Sequence, residues 1–173
     1  MEFKTSQGVT CVVAGNCGIS LAPFSLSAGQ DAADATPPQN LLGEDFAYGS
    51  MGEFFDALDA SPAALNAVAL CGHTTLRIGA MGGAAAMERE ASPAEVGRMR
   101  AMLQDALDAG AIGLSTGLAY ASAAPATTAE VVALARLLKP AGGLYATHLR
   151  NESEAIHEVI QPLVELYGGC MWC

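Results

Sequence analysis

Cys17 stands in the string Gly15-Asn16-Cys17-Gly18, and His148 closes Tyr145-Ala146-Thr147-His148. A thiolate and an imidazole are both good ligands for zinc, and the flanking glycines allow the sharp bend that projects a cysteine side chain. A catalytic zinc needs such ligands plus one open position for water. Other side chains with chemical potential are His73 in Gly72-His73-Thr74-Thr75, Tyr120 beyond Ser115-Thr116-Gly117, and Arg150 just after His148. Residue type alone leaves alternatives open. Cys17 and the histidines are ligands, or they are a buried structural thiol and hydrogen-bonded core imidazoles. A third alternative makes Cys17 a nucleophile activated by His73 or His148, but no Cys-nucleophile signature is present.

Strand–helix units are the elements that would bring these residues together. Short continuous apolar runs at 9–13, 66–71, 111–115 and 144–147 read as strands covered on both faces. Helix starts are marked by Ser50-x-x-Glu53, Ser92-x-x-Glu95 and Thr127-x-x-Glu130, each matching a capping box. Pro93 suits a first helical position. Val96, Met99, Leu103, Ala106 and Leu107 then share one face, and Gly110 supplies the stop. A further helix is expected over 128–139, ending before Pro140. A last one is expected from 152, with Ile156, Val159, Ile160, Leu163 and Val164 on one face and Pro162 as its kink or end.

Alternating strand and helix signals predict an α/β fold with a parallel sheet. No Gly-x-Gly-x-x-Gly follows the first strand, so a dinucleotide-binding sheet has no fingerprint. A full (β/α)₈ TIM-type barrel takes roughly 250 residues. About four units in 173 residues are therefore a partial barrel, read as one domain over 1–173. Residues 24–49, with Gly29, Pro37 and Pro38, read as a loop inserted between the first strand and its helix. Reactive groups in such folds lie just past the C-terminal ends of strands. Cys17, His73, Tyr120 and His148 all fall at such positions.

Composition excludes several function classes. Eight basic residues against eighteen acidic give a net charge of −10, with no Lys/Arg cluster, which argues against nucleic acid. No apolar run is long enough to span a bilayer, and the first residues lack the pattern of a signal peptide. Five cysteines are an odd number for a disulfide framework, so free or ligating thiols in the cytoplasm are expected. Cys11 and Cys71 are expected as small buried hydrophobes, Met51, Met81, Met87, Met99 and Met102 as core fillers, and His157 on a helix surface.

Several strings resemble those of the D-aminoacylases, the N-acyl-D-amino-acid deacylases of the amidohydrolase superfamily. They are Ser6-Gln7-Gly8-Val9-Thr10, Gly15-Asn16-Cys17-Gly18-Ile19-Ser20, Gly72-His73-Thr74-Thr75-Leu76-Arg77, the stretch from Ala111 to Tyr120, and Leu144 to Glu152. They occur in the family's order, from about Thr5 to about Ile160. The resemblance implies a zinc-dependent barrel hydrolase that cleaves the amide of N-acyl-D-amino acids. It makes Cys17 and His148 metal ligands and places Tyr120 at the substrate pocket. His73 is expected as a supporting or substrate contact, and Arg150 by position as a holder of the substrate carboxylate.

The departures matter as much. The chain has no His-x-His, which the family places on its first barrel strand. A further ligand histidine and the general-base aspartate are expected beyond its last residue. Two ligands are fewer than a catalytic zinc site normally uses. The chain is therefore expected to be an internal fragment of such an enzyme, inactive by itself. The alternative is a non-catalytic module that self-associates through open barrel edges. Cys170-Met171-Trp172-Cys173 resembles a redox or zinc pair, and residues 168–173 are read instead as a divergent tail.

Overall fold

The computed structural model describes residues 2–24, 48–83 and 88–151. The greater part of the expected inserted loop, Met87, the expected last helix with His157, and the Cys170–Cys173 tail lie outside the described residues.

A short helix α1 (Glu2–Thr5) precedes β1 (Cys11–Ala14). Helix α2 (Met51–Ala60) leads to β2 (Asn66–Gly72), which runs directly into α3 (His73–Met81). Then come α4 (Pro93–Asp108), β3 (Gly113–Gly117), a 3₁₀ turn (Ala121–Ala123), α5 (Thr128–Ala135), α6 (Leu138–Ala141) and β4 (Leu144–His148). All four strands fall at the expected runs, shifted by up to about two residues at their ends, where hydrogen bonding outweighs composition.

The strands pair in parallel in the order β1-β2-β3-β4. A doubly wound sheet reverses direction at a switch point, and this order has no reversal. Each unit adds to the same edge, so right-handed crossovers place the connecting helices on one side. The result is a curled partial (β/α) barrel.

Alternation divides the faces. Leu114 and Thr116 of β3 are in register with Tyr145 and Thr147 of β4. Leu114 and Tyr145 join the core formed with Met99, Leu103 and Ala106 of α4 and Val131 and Leu134 of α5. Burying Met99 and Leu103, both 0% exposed, contributes about 1.5–3 kcal/mol each. The opposite, concave face carries the small residues Gly113, Ser115 and Gly117 of β3 and ends on His148 of β4.

Caps follow the sequence in part. Ser92 and Glu95 make the full capping box, with Pro93 in the first turn. Arg89 and the Ser92 hydroxyl and N–H hold the Glu95 carboxyl far below its usual range. Ser50 accepts from Glu53 N–H, but the Glu53 carboxylate reaches one residue further back, to Gly49 N–H. Thr127 accepts from Glu130 N–H, while the Glu130 carboxylate turns into the interior.

Two further expectations are corrected, and one helix was missed. The helix over 128–139 is two helices, and Pro140 sits inside the first turn of α6, where its missing N–H is no loss. Helix α3 was not legible, because eight of its nine residues are buried and no polar face marks a period. Cys11 is exposed, because β1 is an edge strand. Cys71 is buried as expected, and burial pushes its thiol pKa up to about 12.

Candidate metal centre

The chain turns sharply after β1. Gly15 has φ +81°, and a Cβ there would overlap the Leu70 carbonyl, so only glycine fits. Cys17 also adopts a left-handed backbone, φ +58°, which is uncommon for any residue with a side chain. Such a conformation persists only where surroundings enforce it. The Ser115 hydroxyl, 0% exposed, accepts from Gly18 N–H at 3.0 Å and donates to the Gly15 carbonyl. The Gly18 carbonyl accepts from Thr74 N–H at 2.8 Å and Thr75 N–H at 3.3 Å. It thereby caps α3, whose N-cap Gly72 has no side chain to do so. Ser20 locks the next step, its N–H on Thr75 Oγ1 and its hydroxyl accepting from Gly72 N–H, both at 2.9 Å. Cys17 is thus an exposed thiol on a turn fixed to β2, β3 and α3.

His148 ends β4 in register with Gly117. Its Nδ1 lies 2.9 Å from the Tyr120 hydroxyl, and the two rings meet edge-on with centroids 5.0 Å apart. Gly117 is where the parts converge. A Cβ there would overlap the Cys17 carbonyl and come within 2.6 Å of the Tyr120 ring. The Cys17 turn, Tyr120 and His148 therefore border one residue, although they lie far apart in the sequence. Arg150 gives Nη1 to the Ala124 carbonyl at 2.9 Å and Nη2 to the Ala126 carbonyl at 2.5 Å. It ties β4 to the segment after Tyr120, so its hydrogen bonds go to backbone.

The donor set suits zinc in kind. Cys17 offers a thiolate, and with Nδ1 facing Tyr120 an imidazole bond to a metal would run through Nε2. A hydrogen bond on the other ring nitrogen is the usual means of orienting a ligating histidine, and here the Tyr120 hydroxyl supplies it. In number the set is short. Among the described residues, no three His, Cys, Asp or Glu side chains come together as a metal site.

His73 lies elsewhere. It is the first residue of α3 and 0% exposed, with Nε2 2.7 Å from Glu130 Oε1. Arg77, also 0% exposed, places Nη1 2.6 Å from both Glu130 oxygens, while Nη2 donates to the Arg89 carbonyl at 2.7 Å. Burial opposes ionisation of Glu130. The hydrogen bonds and charges of His73 and Arg77 outweigh it and hold the carboxyl below its usual range. This buried cluster joins α3 to α5 beneath the rim. Among the described residues, His73 Nδ1 and Thr74 Oγ1 are buried without a hydrogen-bond partner.

Ser115, Arg77 and Glu130 escaped the sequence reading as site-supporting residues. Glu130 matched a helix cap, and nothing local distinguishes a carboxylate that folds back from one that turns inward. Ser115 lies inside a strand run and carries no signature of its own. The usable hint was Arg77, a lone charge within a mainly apolar stretch.

No protein-family model matches the chain. The chain is 44% identical over 160 residues to the D-aminoacylase of Alcaligenes xylosoxydans xylosoxydans, a match covering 90% of the chain and 31% of that protein. A crystal structure of D-aminoacylase, described as defining a novel subset of amidohydrolases, superposes with TM-score 0.81 at 42% identity, over 96% of this chain and 34% of that one. The N-acyl-D-glutamate deacylase of Bordetella bronchiseptica, solved with zinc and a phosphonate mimic of the tetrahedral intermediate, gives 0.80 at 40%, over 95% and 33%. The chain thus spans about a third of the length of the relatives it matches. The resemblance read from the motifs is borne out in sequence and in fold.

Proposed function

From the premise that the chain matches one barrel segment of the D-aminoacylases, we propose that it carries part of a zinc-dependent site for hydrolysing N-acyl-D-amino acids. Cys17 and His148 are two of the metal ligands. The observation that supports this most is the convergence of the Cys17 turn, Tyr120 and His148 on Gly117, at the C-terminal ends of the strands. Bound zinc supplies Lewis acidity toward an acyl carbonyl and makes water a better nucleophile near neutral pH.

The chain's own residues have simpler tasks. Tyr120 orients the His148 ring through Nδ1, and its partly exposed side chain borders the space a substrate would enter. Arg150 holds the segment that carries Tyr120. The described residues place no carboxylate beside Cys17 and His148 to accept a proton, and two ligands hold zinc weakly. By itself the chain hydrolyses nothing. Among the described residues the cysteines are free thiols and no helix is long and apolar enough to cross a membrane. Free thiols suit the reducing cytoplasm.

Zinc titration of the purified chain, with Cys17→Ala and His148→Ala beside it, tests the ligand assignment. Loss of binding in both variants is expected. Unchanged binding in both would refute the site. Zinc-dependent release of a D-amino acid from an N-acetyl-D-amino acid by the purified chain would overturn its inactivity.

Exposed Val13 and Leu144, on the two edge strands, favour a second reading in which the chain associates through these edges. A monomer with cooperative unfolding in size-exclusion and denaturation experiments would count against it.

A further inference from the structure

In a four-residue turn the first carbonyl accepts from the fourth N–H, here Asn16 and Ile19 at 3.2 Å. Cys17 and Gly18 are its two central residues, with φ +58° and +78°, where glycine or asparagine is usual. The Ser115 hydroxyl anchors this turn from outside, accepting from Gly18 N–H and donating to the carbonyl of Gly15, which leads into it. The hydroxyl comes from β3, 97 positions from Gly18 in sequence, and Ser115 is 0% exposed. Water therefore cannot replace a partner that moves away, and a buried polar group left unmade is costly. Gly72 and Gly117 leave room on either side, since a Cβ on either would strike the turn's backbone.

We infer that Ser115 is a positioning residue that fixes the turn presenting Cys17 to β3, through a hydroxyl that bridges the Gly15 carbonyl and the Gly18 N–H. This rests on the ligand role proposed for Cys17. Without the hydroxyl, the Gly15 carbonyl and the Gly18 N–H lose their shared partner on β3, and the backbone carrying the thiolate shifts relative to His148. A hydroxyl that merely filled space would leave both the turn and the metal unaffected.

The test uses cobalt(II) as the metal probe and amide exchange as a metal-free readout. In the wild-type chain, an Overhauser contact between the Ser115 hydroxyl proton and the Gly18 amide is expected, with that amide protected. In Ser115→Ala, Gly18 should lose protection while the β3–β4 ladder keeps its own. Cobalt affinity should fall by about 10–100-fold, as for other groups that orient a ligand, and thiolate-to-cobalt absorption should weaken. An unchanged Gly18 amide in the variant, or no hydroxyl contact in the wild type, would overturn the inference. The wild-type measurement stands even if the variant fails to fold. If the wild type shows no thiolate-to-cobalt band, the ligand reading fails, and Gly18 exchange still decides whether Ser115 holds the turn.

Discussion

Replacing Glu130 with glutamine removes one charge and almost no volume, so it probes the buried cluster rather than packing. In the native chain Glu130 is 3% exposed and takes Arg77 Nη1 on both oxygens at 2.6 Å and His73 Nε2 on one at 2.7 Å. Glutamine keeps a single acceptor oxygen and offers Arg77 no countercharge. Arg77, 0% exposed, keeps its bond to the Arg89 carbonyl and loses its ion pair with Glu130. Removing one partner of a buried pair costs about 3–5 kcal/mol. At about 2–4 °C per kcal/mol for a chain of this size, the midpoint should fall by about 6–20 °C. Thermal and urea unfolding measure it. Arg77→Met with Glu130→Gln should recover much of the loss, because no uncompensated charge remains. The pH dependence has a definite sign. The folded-state pKa of Glu130 lies below 4.5, so its stabilisation is complete above about pH 4.5 and is lost as pH falls through the folded value. The gap between wild type and Glu130→Gln should therefore narrow in acid. A Glu130→Gln chain within about 1 kcal/mol of wild type at neutral pH, or a double variant as unstable as the sum of the singles, would refute the reasoning.

Tyr120→Phe deletes the hydroxyl on His148 Nδ1, and zinc affinity by calorimetric titration should drop about 10–100-fold; a change within twofold would show that the hydroxyl does not orient the ring. Gly117→Ala should displace both the Cys17 carbonyl and the Tyr120 ring, costing about 1–3 kcal/mol in urea unfolding and weakening metal binding, whereas a variant with native stability would mean the rim is looser than described. At about pH 8, iodoacetamide should label exposed Cys17 and Cys11 and spare Cys71, whose pKa of about 12 and burial leave it without thiolate; peptide mass mapping reads the result, and rapid labelling of Cys71 in the folded chain would refute its burial.

How much was legible depends on the range over which each feature is decided. Apolar runs and hydroxyl–x–x–Glu spacings act within a few residues, so four strands and three helix starts could be read from the sequence. Helix α3 could not, because buried residues on every side leave no periodic contrast. The break at 136–137 could not either, since Pro140 signals a boundary without saying on which side it falls. The string around Cys17 and the one ending in His148 marked candidate ligands from residue chemistry and from resemblance. Arg150 carried a charge at a suggestive position, and only contact showed that it grips the carbonyls of Ala124 and Ala126.

By itself the sequence determined the alternation of strand and helix, the capping of α4 by Ser92 and Glu95, and the chemical types available at the rim. Tertiary structure decided the rest. It set the uninterrupted strand order that makes the sheet a barrel segment, turned Glu130 from its own helix end to Arg77 and His73, and brought the Cys17 turn, Tyr120 and His148 against Gly117. The physical reason is separation along the chain. A cap is satisfied by a neighbour three residues away, whereas a buried charge or a candidate ligand pair takes its partner from another unit, and that partner exists only once the strands have paired.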